Sequence, residues 1–152
     1  MVSLSHKRKI FDPLRNRFVA ASPEEIVRQT LIQRMLRDLG YPKERIVVEK
    51  RLDQMPHLSG CLPDRRADIV VFAPNIHPKY PFYPLLLIEC KEEKITQKAI
   101  DQVLGYNYYL GAFFCALVAQ TEMLCLLSEG KHLPHIPTYQ ELLAHASEFR
   151  RN

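Results

Sequence analysis

Two short runs constrain this chain more than anything else in it: "ADIVVF" at 67–72 and "LLLIECK" at 85–91. Each contains four consecutive large apolar residues, Ile69 to Phe72 and Leu85 to Ile88, with no helical spacing of polar positions. Runs of that length and composition read as buried strands. The second run does not end as a buried strand should. It passes straight into Glu89, Cys90 and Lys91, and because strand side chains alternate faces, Glu89 and Lys91 project to one side while Cys90 projects to the other. Such a pair is either chemistry or a strand running out into water.

Helical patterns surround these strands. "ASPEEIVRQTLIQRMLRDLGYP" opens with Ser22 as a cap, Pro23 at the first helical position and Glu24 and Glu25 in the first turn, and it closes on Gly40 and Pro42. Its apolar residues Val27, Leu31, Met35 and, offset, Leu39 follow helical spacing, which predicts one buried face. "RIVVEKRL" (45–52) reads as a strand and 54–64 as a loop, and the proline-rich segment 73–84 breaks the chain before the third strand. A second helix is predicted from Lys94 to about Gly111, with Ile95, Ala99 and Val103 along one side. "AFFCALVAQ" and "MLCLLSE" then read as a hairpin about Thr121 and Glu122. Thr138 with Glu141 three positions later forms a capping box for a closing helix over 138–152. The order α-β-β-β-α-β-β-α predicts an α/β layer fold.

At 152 residues and 47% hydrophobic content, the chain is expected to be a single domain, 1–152, built on one core. It has no apolar run long enough for a membrane span and no signal-peptide pattern, so the expectation is a cytoplasmic protein without a membrane partner. The net charge of +4 is concentrated in residues 1–17, where Lys7, Arg8, Lys9, Arg15 and Arg17 face only Asp12. This predicts a basic N-terminal arm, either simply solvated or touching a phosphate backbone. The four cysteines show no CxxC spacing, and three sit in apolar runs, so free buried thiols are expected. His132 and His135 in "HLPHIP" lack partners and read as loop rather than metal ligands.

If the strands at 67–72 and 85–91 are antiparallel neighbours, Asp68 at the start of one lies beside Glu89 and Lys91 at the end of the other. Two adjacent carboxylates repel unless a cation sits between them, and one or two carboxylates completed by water and phosphate suit Mg²⁺, with Mn²⁺ as a substitute. A lysine beside that cation can place a nucleophile and offset developing charge. Gln102 and Tyr106, four apart, share a face of the helix that follows Lys91. Arg65, Arg66 and Lys94 flank the cluster and are candidates for phosphate contacts. Each residue also has an ordinary role: a wet strand end, a solvated helix position, a packing tyrosine.

Together, Asp68, "IECK" and "QVLGY" resemble the D…ExK…QxxxY arrangement of the PD-(D/E)xK nuclease superfamily. More narrowly, "SPEEIVRQ…GYP…VVEKRL…RRADIVVF…LLLIECK…Q…YN" resembles the N-terminal nuclease domain of type I restriction enzyme R subunits, over residues 11–125. The resemblance implies a restriction-endonuclease-like fold with a central mixed sheet of about five strands flanked by helices. It also implies Mg²⁺-dependent hydrolysis of phosphodiester bonds in DNA. Carried over by position, Asp68 and Glu89 become metal ligands, Lys91 the catalytic lysine, and Gln102 and Tyr106 contacts to substrate near the site. An acid on the first helix completes such sites, and Glu25 is the first choice, with Glu24 next. Two features depart from the family pattern. The literal Pro-Asp is Pro63-Asp64, ahead of the strand, and the 152 residues contain no P-loop, so the expectation is a stand-alone nuclease, a module recruited by a separate motor or specificity protein, or an excised fragment. A homodimer is the other partner expected, since one site cuts one strand. The alternative reading is a non-catalytic nucleic-acid-binding or assembly subunit that retains the nuclease fold.

Overall fold

Both apolar runs are strands in the computed structural model, which describes residues 8–127 and 130–150. In chain order the elements are β1 (Lys9–Asp12), β2 (Arg17–Ala20), α1 (Pro23–Arg37), β3 (Ile46–Arg51), β4 (Arg66–Pro74), β5 (Phe82–Cys90), α2 (Gln97–Leu110), β6 (Phe114–Val118), β7 (Met123–Leu126), β8 (His132–Leu133) and α3 (Tyr139–Arg150). Strands β3 to β8 form one sheet in sequential order, while β1 and β2 make a separate hairpin.

Strands β3, β4 and β5 pair antiparallel, β5 and β6 pair parallel, and β6, β7 and β8 pair antiparallel. The one parallel step is spanned by α2, because parallel neighbours need a crossover rather than a turn. The sheet is therefore mixed, with six strands among the described residues where about five were expected. The additional strand, β8, pairs Leu133 with Cys125 and His132 with Leu126. It lies in the proline-flanked segment read as loop, and two residues are too few to show a period.

The sheet is buried on both faces. On one side Val27, Leu31, Ile32 and Met35 of α1 and Leu142 and Ala146 of α3 pack on Ile69, Val71, Leu86 and Ile88. On the other, Val103, Tyr106 and Leu110 of α2 pack on Val70, Phe72, Leu87 and Leu117. This explains the unbroken apolar runs: alternate residues of β4 and β5 enter opposite layers, so no position is left for a polar side chain. Local signals fix the helix ends. The Ser22 hydroxyl accepts from the Glu25 N–H at 3.2 Å, Thr96 does the same for Ala99 at 3.1 Å, and Thr138 for Glu141 at 3.1 Å. Cys90, Cys115 and Cys125 are buried free thiols and Cys61 is an exposed one. Among the described residues no helix is long and apolar enough to cross a membrane.

Two expectations are corrected. Residues 9–17 of the expected 1–17 arm are not solvated chain: with 18–20 they form the β1–β2 hairpin, in which Phe11 pairs with Phe18 and Arg15 is drawn into an ion-pair cluster described below. Residues 1–7 lie outside the described part, as do 151–152 of the expected C-terminal helix. The prolines of 73–84 also break less of the sheet than expected, since β4 runs through Pro74 and β5 already includes Pro84. Pro84 sits opposite Phe72 where the register shifts between Val71 and Phe72, and such an irregularity tolerates a residue that has no N–H to donate.

Candidate active site

The register sets the site. Ile69 pairs with Ile88 in antiparallel sense, so one step further along both strands Asp68 comes opposite Glu89. The Asp68 carboxylate turns across the strand end, where Oδ2 accepts the Cys90 N–H at 2.7 Å. Lys91, just past the end of β5, is tied by its own N–H to the Val118 carbonyl at 2.8 Å, and its Nζ lies 3.9 Å from Glu89 Oε1. Asp68, Glu89 and Lys91 are all partly buried. The convergence foreseen from strand alternation is thus present.

Burial is the main cause of the perturbed acidities here. It pushes the Glu89 carboxyl up to about 7, with the neighbouring Asp68 charge adding to the rise and Lys91 and Arg65 opposing it. Burial also raises Asp68, against the pull of the Cys90 N–H and the Arg28 charge. Two partly buried carboxylates, both raised by burial and one of them raised further by the charge of the other, form a set a cation would relieve. Among the described residues no three His, Cys, Asp or Glu side chains gather into a closed ligand cage. A two-carboxylate set open to solvent fits Mg²⁺, which keeps water and substrate phosphate as its remaining ligands.

Helix α2 contributes Tyr106, buried at 4% exposure, with its hydroxyl unpartnered among the described residues. Burial pushes that hydroxyl up to about 12, with Arg65 opposing and Glu89 and Asp68 reinforcing the shift. The Arg65 guanidinium lies over the ring, 5.2 Å from its centroid. Gln102, one turn earlier, is exposed, as are Arg65, Arg66 and Lys94. Arg65 is therefore at the cluster, whereas Lys94 stands beside the exposed Glu92 and Glu93.

The first helix departs from expectation. Glu25 is 5% exposed, and its carboxylate is taken by Arg15 and Arg28, the latter donating from Nε at 2.5 Å. A buried carboxylate with each oxygen already paired to a guanidinium is neutralised in place and offers little to a cation. Glu24 is exposed, and its charge is among those raising both Asp68 and Glu89. The first-helix acid facing the site is Glu24.

The sequence reading missed Arg28 and Glu49. Arg28 Nη1 lies 3.6 Å from Asp68 Oδ1, and Nη2 donates to Glu49 Oε1 at 3.1 Å. An arginine next to Val27 and one turn before Leu31 and Ile32, on the buried side of the helix, was the available signal for the first. Glu49 has φ 49°, a left-handed conformation that nothing in "VVEKR" announces.

A fragment of a protein assigned as the HsdR subunit of a type I restriction enzyme from Vibrio vulnificus YJ016 has a similar structure, with a TM-score of 0.54 at 19% identity. The match covers 77% of this chain and 24% of that one, so the chain spans about a quarter of the length of the solved relative. It supports the restriction-endonuclease-like fold. No curated protein matches the sequence. The family described as the type I restriction enzyme R protein N terminus matches residues 23–137, which takes in Asp68, Glu89, Lys91, Gln102 and Tyr106, and the chain belongs to that family.

Proposed function

We propose that the chain is a Mg²⁺-dependent endonuclease that hydrolyses phosphodiester bonds in DNA. The observation that carries this reading is the meeting of Asp68 and Glu89 across two strand ends with the Lys91 amine 3.9 Å from Glu89. Family membership supports a nuclease-related role.

Asp68 and Glu89 would hold the cation. Bound there, it would neutralise the pair and polarise a phosphodiester oxygen. The residues of the chain do the rest. Asp68 accepts the Cys90 N–H and lies beside the Arg28 guanidinium. Lys91 sets a positive charge beside Glu89, where it orients the attacking water and offsets charge developing on the phosphate. Arg65, braced on the Tyr106 ring, supplies a cation to the nucleic-acid backbone, with Arg66, Gln102 and Lys94 as outer contacts. DNA is the proposed substrate and a separate motor or specificity protein the proposed partner.

The test is nicking of a supercoiled plasmid by the purified chain with Mg²⁺ or Mn²⁺, set against Asp68→Ala and against a single-stranded RNA of matched length. Metal-dependent nicking lost in Asp68→Ala supports the assignment. Cutting by Asp68→Ala at the wild-type rate would defeat it, and preference for the RNA would replace the substrate.

A further inference from the structure

The three nitrogens of the Arg28 guanidinium face carboxylates on three different elements, two by hydrogen bonds and one across a looser ion pair. Nε donates to Glu25 on α1 at 2.5 Å, Nη2 donates to Glu49 on β3 at 3.1 Å, and Nη1 lies 3.6 Å from Asp68 Oδ1 on β4. The residue is 6% exposed. Behind it, Arg15 pairs with Asp12, Glu25 and Glu49, so the β1–β2 hairpin is linked through two guanidiniums to Asp68. Glu49 reaches both arginines from a left-handed backbone conformation, and the β3–β4 pairing passes from Val48–Ile69 to Lys50–Ala67 without it. A non-glycine residue held in that region marks a geometry the surroundings enforce.

We propose that Arg28 is a positioning residue for Asp68. It holds Oδ1 from the helix side while the Cys90 N–H holds Oδ2 from the strand side, at 2.7 Å. The carboxylate is then fixed before any cation or nucleic acid arrives. Glu25 and Glu49 fix the guanidinium in turn, a task that needs a planar fork rather than a point charge. The proposal rests on the reading of Asp68 as a metal ligand.

The experiment is Mn²⁺ binding to the whole chain without DNA, followed by electron paramagnetic resonance, with circular dichroism as the check on folding. Four variants are compared with wild type: Asp68→Ala, Arg28→Lys, the charge-balanced pair Glu25→Gln with Arg28→Met, and Glu49→Gln. Wild type binds and Asp68→Ala does not. Arg28→Lys and the paired variant bind roughly 10- to 100-fold more weakly, the usual cost of losing a residue that orients a ligand. Retention of positive charge in Arg28→Lys does not rescue binding. Glu49→Gln, which keeps Arg28 and loosens one arm of the clamp, also binds more weakly than wild type, by less than the Arg28 variants. Wild-type or tighter binding in the folded Arg28 variants overturns the proposal, because removing a nearby cation without loss of orientation would favour Mn²⁺. Where those variants do not fold, unchanged affinity in Glu49→Gln overturns it. Equal binding by wild type and Asp68→Ala is a separate outcome, which removes Asp68 as a ligand and the positioning role with it.

Discussion

The Arg65 guanidinium rests 5.2 Å from the centroid of the Tyr106 ring, between the start of β4 and the middle of α2. The ring is packed and the hydroxyl beyond it is buried without a partner among the described residues. Tyr106→Phe removes an unsatisfied polar atom while keeping the ring, so stability rises by about 1 kcal/mol in urea denaturation. Tyr106→Ala loses the packing and costs roughly 3–5 kcal/mol. Arg65→Ala lowers the slope of log affinity for DNA against log salt by about 1, with little dependence on DNA sequence. An unchanged slope would take Arg65 out of the interface.

Lys91 and Glu89 divide their labour, and substitution separates them. Lys91→Ala cuts at least about 100-fold more slowly, as expected for loss of one positioned electrostatic group. Its Mn²⁺ affinity is kept or rises, since both carboxylates remain and a neighbouring positive charge is gone. Glu89→Ala loses affinity and cutting together. Parallel metal titrations and cleavage rates check this, and equal loss of affinity in both variants would contradict it.

The Glu89 carboxyl also makes the stability of the metal-free protein depend on pH. Its acidity in the folded state is displaced upward to about 7 from an ordinary 4.5, by burial first and by Asp68 second. A raised folded-state value means the folded form holds the proton more tightly than the unfolded form. The associated stability is complete below about pH 4.5 and is lost as pH rises towards 7. Thermal melts in chelator should therefore show a fall across that window, and Glu89→Gln should flatten it. A slope that survives in Glu89→Gln would assign it to another group.

Gly111 ends α2 in a left-handed conformation with φ 77°, and a Cβ there would stand 2.6 Å from the Tyr83 hydroxyl oxygen. That hydroxyl donates to the Gly111 carbonyl, also at 2.6 Å. Gly111→Ala meets both backbone strain and the hydroxyl, and costs about 1–3 kcal/mol in chemical denaturation. Adding Tyr83→Phe relieves the clash but not the backbone strain, so the double variant recovers part of the loss. Strict additivity of the two changes would show that the hydroxyl is not the obstacle.

The parts of this fold that were legible in the sequence are those written in period and composition. The unbroken apolar runs of β4 and β5 announced burial on both faces, and Ser22 and Thr138 marked helix starts that the structure confirms by hydrogen bonds. Strand alternation was enough to bring Asp68, Glu89 and Lys91 to one sheet end. What failed was any choice that depends on three-dimensional partners. Glu24 and Glu25 look alike to a helix dipole, and only Arg28 of the same helix and Arg15 from the hairpin show which one is occupied. The β1–β2 hairpin was read as a charged arm because Arg15 was counted as free charge, whereas it is neutralised inside the protein by Asp12, Glu25 and Glu49.

The left-handed turn at Glu49 also governs how this domain can meet its neighbours. Among the described residues β3 is the last strand on its side of the sheet, and an edge of that kind is a template on which another chain can extend the ladder. Glu49 interrupts the template in the middle, and the carboxylate it turns aside is held by the buried Arg28 and the partly buried Arg15. Copies of the protein are thus discouraged from joining edge to edge through β3, and the strain that serves the interior of the site also keeps the sheet from propagating.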